Sequence, residues 1–211
     1  MTMQVAETTA SLGRCDMDVL TAIKTRSSAL RLSEPGPTPE HIAQLLEACA
    51  ASPDHGRLRP WRFVVISGEA RRRLGRCLAE LRLRKVPNST EVALAGEREK
   101  AMRAPVIIAV AAHVTTGGKV PDVEQIIATG AGVQNMFLAA HALGYGAMWK
   151  TGDAAYDDEV KAAIGLSRED HIVAFLYVGS IAASGPAKSR SLEGLVSWLD
   201  EDQETPAPPA A

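Results

Sequence analysis

The sequence predicts an α+β fold made as one domain, and three observations carry that expectation. The chain has 211 residues, close to the size of a single domain. Amphipathic helical stretches and short apolar runs mix along it without a regular βαβ beat. The run 172–179 is apolar throughout, as a strand at the centre of a sheet must be. Hydrophobic residues make up 46% and charged residues 23%, the balance of a soluble globular chain. Aromatics are only 4%, so the core has to be built from Ala, Leu, Val and Ile.

Taken in order, residues 1–13 lack periodicity and are expected to be disordered, residues 14–200 to form the single domain, and the Pro/Ala-rich tail 201–211 to be flexible. The first helix begins near Asp16 or Asp18, either of which can cap it. Val19, Leu20 and Ile23 form its apolar face, and it ends near Arg26-Ser27-Ser28. In the second helix Thr38 is the N-cap, Pro39 suits the first helical position, and Ile42, Leu45, Leu46 and Cys49 recur at helical spacing. Residues 61–67 read as a strand closed by Gly68. Residues 69–85 and 90–103 read as Arg- and Glu-rich helices, and 105–114 as a buried strand. A long helix covers 122–143, a short strand 145–150, a short helix 157–164, and the central strand 172–179.

Several classes of function are excluded. Lys and Arg number 23 against 25 Asp and Glu, a net charge of −2, which argues against a chain that binds polyanions over its whole surface. Cys15, Cys49 and Cys77 are too scattered for a disulfide scaffold or a thiolate metal site, and the five histidines (41, 55, 113, 141, 171) have no ligand spacing, so no metal is expected. No secretory signal is seen and a cytoplasmic location is expected. The stretch 125–149 holds no Asp, Glu, Lys or Arg, yet Gln125, Thr129, Gln134, Asn135 and His141 interrupt it. It reads as a helix buried in protein, at the centre or at a subunit interface, and not as a membrane span. Gly130-Ala-Gly132 lacks the strand and third glycine of a dinucleotide fingerprint; these glycines fall mid-helix, where they allow close packing. Gly117-Gly-Lys119-Val120 fails the Walker pattern, and no Gly-x-Ser-x-Gly occurs. The basic segment Arg71–Lys85 reads as a solvated helix whose Leu74, Leu78 and Leu81 face the core, with polyanion or partner binding as the alternative.

Three segments point to a ligand. In Arg26-Ser27-Ser28 a guanidinium and two hydroxyls offer the chemistry of a phosphate monoester site. In the loop from Ser52 to Phe63, His55 and several donors lead into a strand. In Gly144-Tyr-Gly-Ala-Met-Trp-Lys-Thr-Gly152, glycines that let backbone approach a flat ligand flank Trp149, Lys150 and Thr151.

With Glu34-Pro-Gly-Pro-Thr38, Ala104-Pro105, Lys119-Val-Pro121 followed by Glu124-Gln125, and the 172–179 strand, the order and spacing of these segments resemble the nitroreductase family of FMN proteins over about residues 18–180. The resemblance implies a three-layer sandwich with a small, largely antiparallel sheet flanked by helices, and an obligate homodimer with FMN at the interface. It implicates Arg26, Ser27 and Ser28 at the phosphate and ribityl chain. It places His55 against the flavin of the other subunit, and Trp149, Lys150 and Thr151 at the isoalloxazine. The implied activity is an FMN-dependent NAD(P)H oxidoreductase passing hydride to a nitroaromatic, quinone or similar acceptor. The flavin carries the chemistry, so no catalytic side chain is expected. Two family cations are replaced here, by Leu30 (followed by Arg31) and by Ala51, and Lys188 or Arg190 is the candidate for the C-terminal basic group at the phosphate. Those replacements motivate an alternative, a flavin-binding protein that does not turn over NAD(P)H. Neither nucleic acid nor membrane is expected as a partner.

Overall fold

The computed structural model describes residues 17–185 and 191–198. The expected loose ends 1–13 and 201–211, and Lys188 and Arg190, lie outside the described residues. The elements run α1 (Val19–Thr25), β1 (Ala29–Ser33), α2 (Pro39–Ala50), β2 (Trp61–Ser67), α3 (Glu69–Lys85), α4 (Glu91–Lys100), β3 (Val106–His113), α5 (Asp122–Ala142), β4 (Gly146–Lys150), α6 (Asp158–Ala163) and β5 (Asp170–Ser184).

All the strand pairings are antiparallel, and β5 is their hub. Its first two thirds pair with β3, from His113↔Asp170 to Val106↔Val178. Its middle also pairs with β4, from Lys150↔Phe175 to Gly146↔Gly179, and its end pairs with β1, from Ser33↔Ser180 to Ala29↔Ser184. β2 pairs with β3 through all seven of its residues. The sheet is covered on both faces, which is why β3 and β5 are continuous apolar runs and not alternating ones. On one face, Leu45 and Cys49 of α2 and Val133, Met136 and Phe137 of α5 meet Ile108, Val110, Leu176 and Val178. On the other, Leu74, Leu78 and Leu81 of α3 and Val160 of α6 meet Ile107, Ala109, Phe175 and Tyr177. The result is the expected three-layer sandwich.

Capping agrees with the sequence at several starts. Asp18 Oδ1 accepts from Thr21 N (3.0 Å). Thr38 Oγ1 accepts from His41 N (3.3 Å), with Pro39 at the first helical position. Each satisfies a donor that the helix leaves unpaired. The charge-free α5 is an internal helix. A Cβ on Gly132 would lie 2.4 Å from Cys49 Sγ and 2.9 Å from the Cys49 carbonyl, so only glycine lets α2 approach this closely. Three of its polar residues are bonded: Gln125 brackets Thr115 N and O, Thr129 donates to Gln125 O, and Asn135 donates to Ala48 O. No helix among the described residues is long and apolar enough to cross a membrane.

Val19, Leu20 and Ile23, the apolar face expected of α1, are 69, 65 and 42% exposed, and only Ala22 is buried. A seven-residue helix resting on α5 contacts the protomer through its small residue and leaves its large ones outside. Residues 29–33, read as no element, are β1, and the last strand runs to Ser184. Neither 29–33 nor 180–184 has strand-like burial by itself; each is a strand because the other is there to pair with it.

Candidate functional site

Two depressions share β4. The first, of about 140 Å³, is where the α1–β1 junction meets the end of α5 and the end of β5. Arg26 is the C-cap residue of α1, where the chain turns from helix into β1. Its guanidinium lies 5.1 Å from the Phe137 ring centroid, a cation–π contact at the rim of the depression. Ser27, His141, Tyr145 and Ser184 add polar groups. Thr25 Oγ1 donates to Thr21 O (2.7 Å) and lies 2.8 Å from His141 Nε2. With its proton committed to Thr21, the hydroxyl accepts from His141 Nε2–H, which fixes that tautomer. Tyr145 Oη is 2.9 Å from His41 Nδ1. Ser28, exposed, adjoins this depression and does not line it.

The second is a cavity of about 510 Å³ at the other end of β4, between the sheet and α3. At 3.3 Å per residue, β4 separates the two by roughly 13 Å. Strand alternation divides the neighbouring Trp149 and Lys150. Trp149 Nε1 donates to Val173 O (3.0 Å) and is outside the cavity, whereas Lys150, Thr151 and Gly152 line it. Gly152 has φ 76° and ψ −165°, a conformation essentially reserved for glycine, and a Cβ there would meet nothing within 4 Å. The floor is apolar: Leu74, Leu78, Leu81 and Phe175, with Tyr177 among them. Burial pushes the Tyr177 phenol up, opposed by the nearby Arg103 guanidinium. Burial also pushes the Cys49 thiol up to about 12, so Cys49 is a packing group and not a nucleophile.

His55 is elsewhere. It opens the short turn His55–Arg57, its side chain is 67% exposed, and its Nδ1 is 2.6 Å from Glu124 Oε2 near the start of α5. At 1.5 Å per residue, the stretch of α5 from Glu124 to His141 spans roughly 25 Å. Within one protomer, therefore, His55 and the Arg26 depression are at opposite ends of α5. The structure brings together Arg26 and Ser27, and separately Lys150 and Thr151. His141, Tyr145, Ser184, Arg103 and Tyr177 were missed as site residues. His141 was weighed only for metal-ligand spacing, and the others became neighbours through pairings that the sequence did not announce. No cluster of potential metal ligands occurs among the described residues.

The basic helix α3 is largely neutralised. Arg72 pairs with Glu69, Arg82 with Glu97, Arg84 with Asp157 and Glu159, and Lys85 with Asp153; Arg71 donates to Ala104 O. Leu74, Leu78 and Leu81 are buried as expected.

The fold is thus a three-layer sandwich with a cationic depression and an apolar cavity flanking one strand. The chain belongs to the nitroreductase family, whose profile matches residues 23–180. It is 38% identical over 164 residues to the Escherichia coli K12 protein named "Putative NAD(P)H nitroreductase YdjA", covering 78% of this chain and 88% of that one. A nitroreductase-like family protein from Bacillus cereus shares the fold with a TM-score of 0.75 at 23% identity, over 87% of this chain and 97% of the other. A structure from Desulfovibrio desulfuricans described as a "putative nitroreductase in complex with FMN" has a TM-score of 0.68 at 26% identity, over 90% of this chain and 99% of that one.

Proposed function

We propose that residues 14–200 form one FMN-binding domain that acts as an NAD(P)H oxidoreductase in a homodimer. The observation that carries this reading is the pair of depressions at the two ends of β4, one suited to an anion and the other to a planar ring. The donor set fits the cofactor. A phosphate monoester carries about −1.5 to −2 charges at neutral pH. Arg26 supplies a charge-assisted fork, and Ser27, Ser28 and Ser184 supply hydroxyls. A cavity of about 510 Å³ is within the usual range for a small-molecule site. Its apolar floor and the open backbone at Gly152 suit a flat heteroaromatic.

Bound FMN would supply the hydride acceptance and donation of the family's chemistry. The chain's own residues hold and orient. Arg26 anchors the anionic end. The backbone N–H groups of Thr151 and Gly152 are hydrogen-bond donors at the cavity mouth, and Trp149, pinned to Val173 O, stiffens the strand that presents them. Lys150, which has no carboxylate partner among the described residues, offers positive charge where a reduced ring carries negative charge. Arg190 is proposed as a second cation for the phosphate. His55 acts on the site of the partner copy, since roughly 25 Å of α5 separate it from Arg26 in its own protomer. The exposed apolar face of α1 supports association of two copies. Cys49 and Cys77 are free thiols, which suits a reducing cytoplasm. The visible spectrum of the purified protein tests the reading: oxidised-flavin bands are expected, and a colourless protein that stays colourless after incubation with FMN refutes it.

A second reading, flavin binding without NAD(P)H turnover, is favoured by Leu30, which is 63% exposed and brings no charge to the site. Stopped-flow mixing separates the two: bleaching of the bound flavin by NADH or NADPH supports the oxidoreductase. The polyanion reading of Arg71–Lys85 loses its support to the carboxylates that pair with that helix.

A further inference from the structure

We propose that the loop between α2 and β2 holds the 2′-phosphate of the reduced nicotinamide nucleotide through Arg57 and Arg59, so that NADPH is preferred to NADH. The nucleotide's role rests on the oxidoreductase reading; the anion site rests on the loop itself. Gly56, Arg57 and Arg59 occupy the left-handed backbone region, with φ of 75, 55 and 49°. Glycine adopts that region freely, whereas an arginine there is strained and uncommon. Such backbone persists only where its surroundings fix it. Here they do. Asp54 O accepts from Arg57 N (3.2 Å), and Asp54 Oδ2 accepts from Arg59 N (2.7 Å). Arg62 Nη1 donates to Arg59 O (3.3 Å) and to Trp61 O (3.0 Å). Pro60 is buried, and His113 N donates to its carbonyl (2.7 Å). A Cβ on Gly56 would lie 2.9 Å from Val120 Cγ2, so the turn is seated on the segment that carries Lys119.

The loop's backbone is thus pinned inward while its charges stay outside. Arg57 and Arg59 are exposed, and neither guanidinium has a carboxylate partner among the described residues. Two carboxylates of this region are engaged: Asp54 by the Arg59 backbone, and Glu124 by His55 Nδ1 at 2.6 Å. Residues two apart have Cα atoms at most about 7 Å apart, so two arginine side chains can close on one anion. Two guanidiniums match a phosphate monoester, which carries about −1.5 to −2 charges. On the proposed reading His55 acts on the site of the partner copy, and Arg57 and Arg59 follow it by two and four residues. They are therefore placed beside that site, where the remote end of a dinucleotide would extend. NADPH differs from NADH by one monoester, the 2′-phosphate; the pyrophosphate common to both cannot discriminate.

Calorimetric titration of the purified protein at about 0.15 M salt compares adenosine 2′,5′-bisphosphate with 5′-ADP, which has two phosphates but none at the 2′ position. The bisphosphate is expected to bind at least about tenfold more tightly. In the double variant Arg57→Gln, Arg59→Gln that ratio falls below about twofold. In the same variant KM for NADPH rises at least about tenfold, while KM for NADH and both kcat values stay within about twofold. Arg57→Gly, which removes the charge and relieves the backbone, weakens the bisphosphate without lowering the thermal midpoint. Equal affinity of the parent for the two nucleotides overturns the proposal. So does a double variant that loses FMN or sediments as a smaller species, because the arginines then serve the cofactor or the association of two copies. A colourless protein that still prefers the bisphosphate sinks the oxidoreductase reading and leaves this site standing. A yellow protein that reacts equally with NADH and NADPH does the reverse.

Discussion

The depressions at the two ends of β4 are built on opposite plans. The one beside Arg26 is small and internally satisfied: Thr21, Thr25 and His141 form a hydrogen-bonded chain, and the one guanidinium rests on an aromatic face. The one under α3 is larger and apolar at its floor, and Arg103 and Lys150 beside it have no carboxylate partner among the described residues. The first is preorganised for a small group of fixed charge, and the second offers apolar surface to a larger, flat one. On the proposed reading that difference suits the two ends of one cofactor, its phosphate at the first and its ring at the second, because preorganisation lowers the cost of binding.

The sharpest way to break the comparison is Arg26→Ala. Losing a charge-assisted contact worth about 1.5–3 kcal/mol should weaken FMN by roughly 10- to 100-fold. Riboflavin, which lacks the phosphate, should be unaffected, and fluorescence titration of both ligands reads the contrast. An equal loss for riboflavin would mean that Arg26 supports the ring. Next comes Gly152→Ala, which forces a side chain into a glycine-only backbone region. It should cost about 1–3 kcal/mol, seen as a lower thermal midpoint, and should disturb the cavity more than the Arg26 depression. Thr25→Val removes the acceptor for His141 Nε2–H. It should cost about 1 kcal/mol and weaken FMN several-fold by loosening the depression, read by thermal melting and fluorescence titration.

The smallest effect concerns the hub strand. Asp170, at the start of β5, is pushed up by burial, but bonds from Ser167 N and His113 Nδ1 outweigh this and hold its carboxyl below the ordinary range. A depressed folded-state value stabilises the fold above the unfolded-state pKa, about 3.9, and that contribution fades as pH falls through the lower folded value. Acid unfolding of Asp170→Asn should therefore show a flatter loss of stability below about pH 4 than the parent. An unchanged acid limb would remove Asp170 from the account.

Much of the fold was legible. Thr38-Pro39, the apolar 172–179 run and the small residues of α5 each act locally, and each appears where its chemistry requires. β1 was not legible, because Leu30 and Arg31 are exposed and its strand character exists only in register with 180–184. Where the apolar face of α1 lies was not legible either. Periodicity shows that a helix has an apolar side, not what that side meets. Arg26, Ser27, Lys150 and Thr151 could be singled out because their residue types carry ligand chemistry within short segments. Tyr177 could not, since in an apolar strand it reads as one more core residue.

The sequence by itself determined the helix starts, the central strand, the small residues that allow α5 to be closely packed, and the residues with phosphate chemistry, because each depends on neighbours within a few positions. Only the tertiary structure decided that β4 divides Trp149 from Lys150, that α5 holds His55 far from Arg26, and that Tyr177 lines a cavity. Those facts depend on strand register and on the distance between chain segments, and no single stretch of residues carries either.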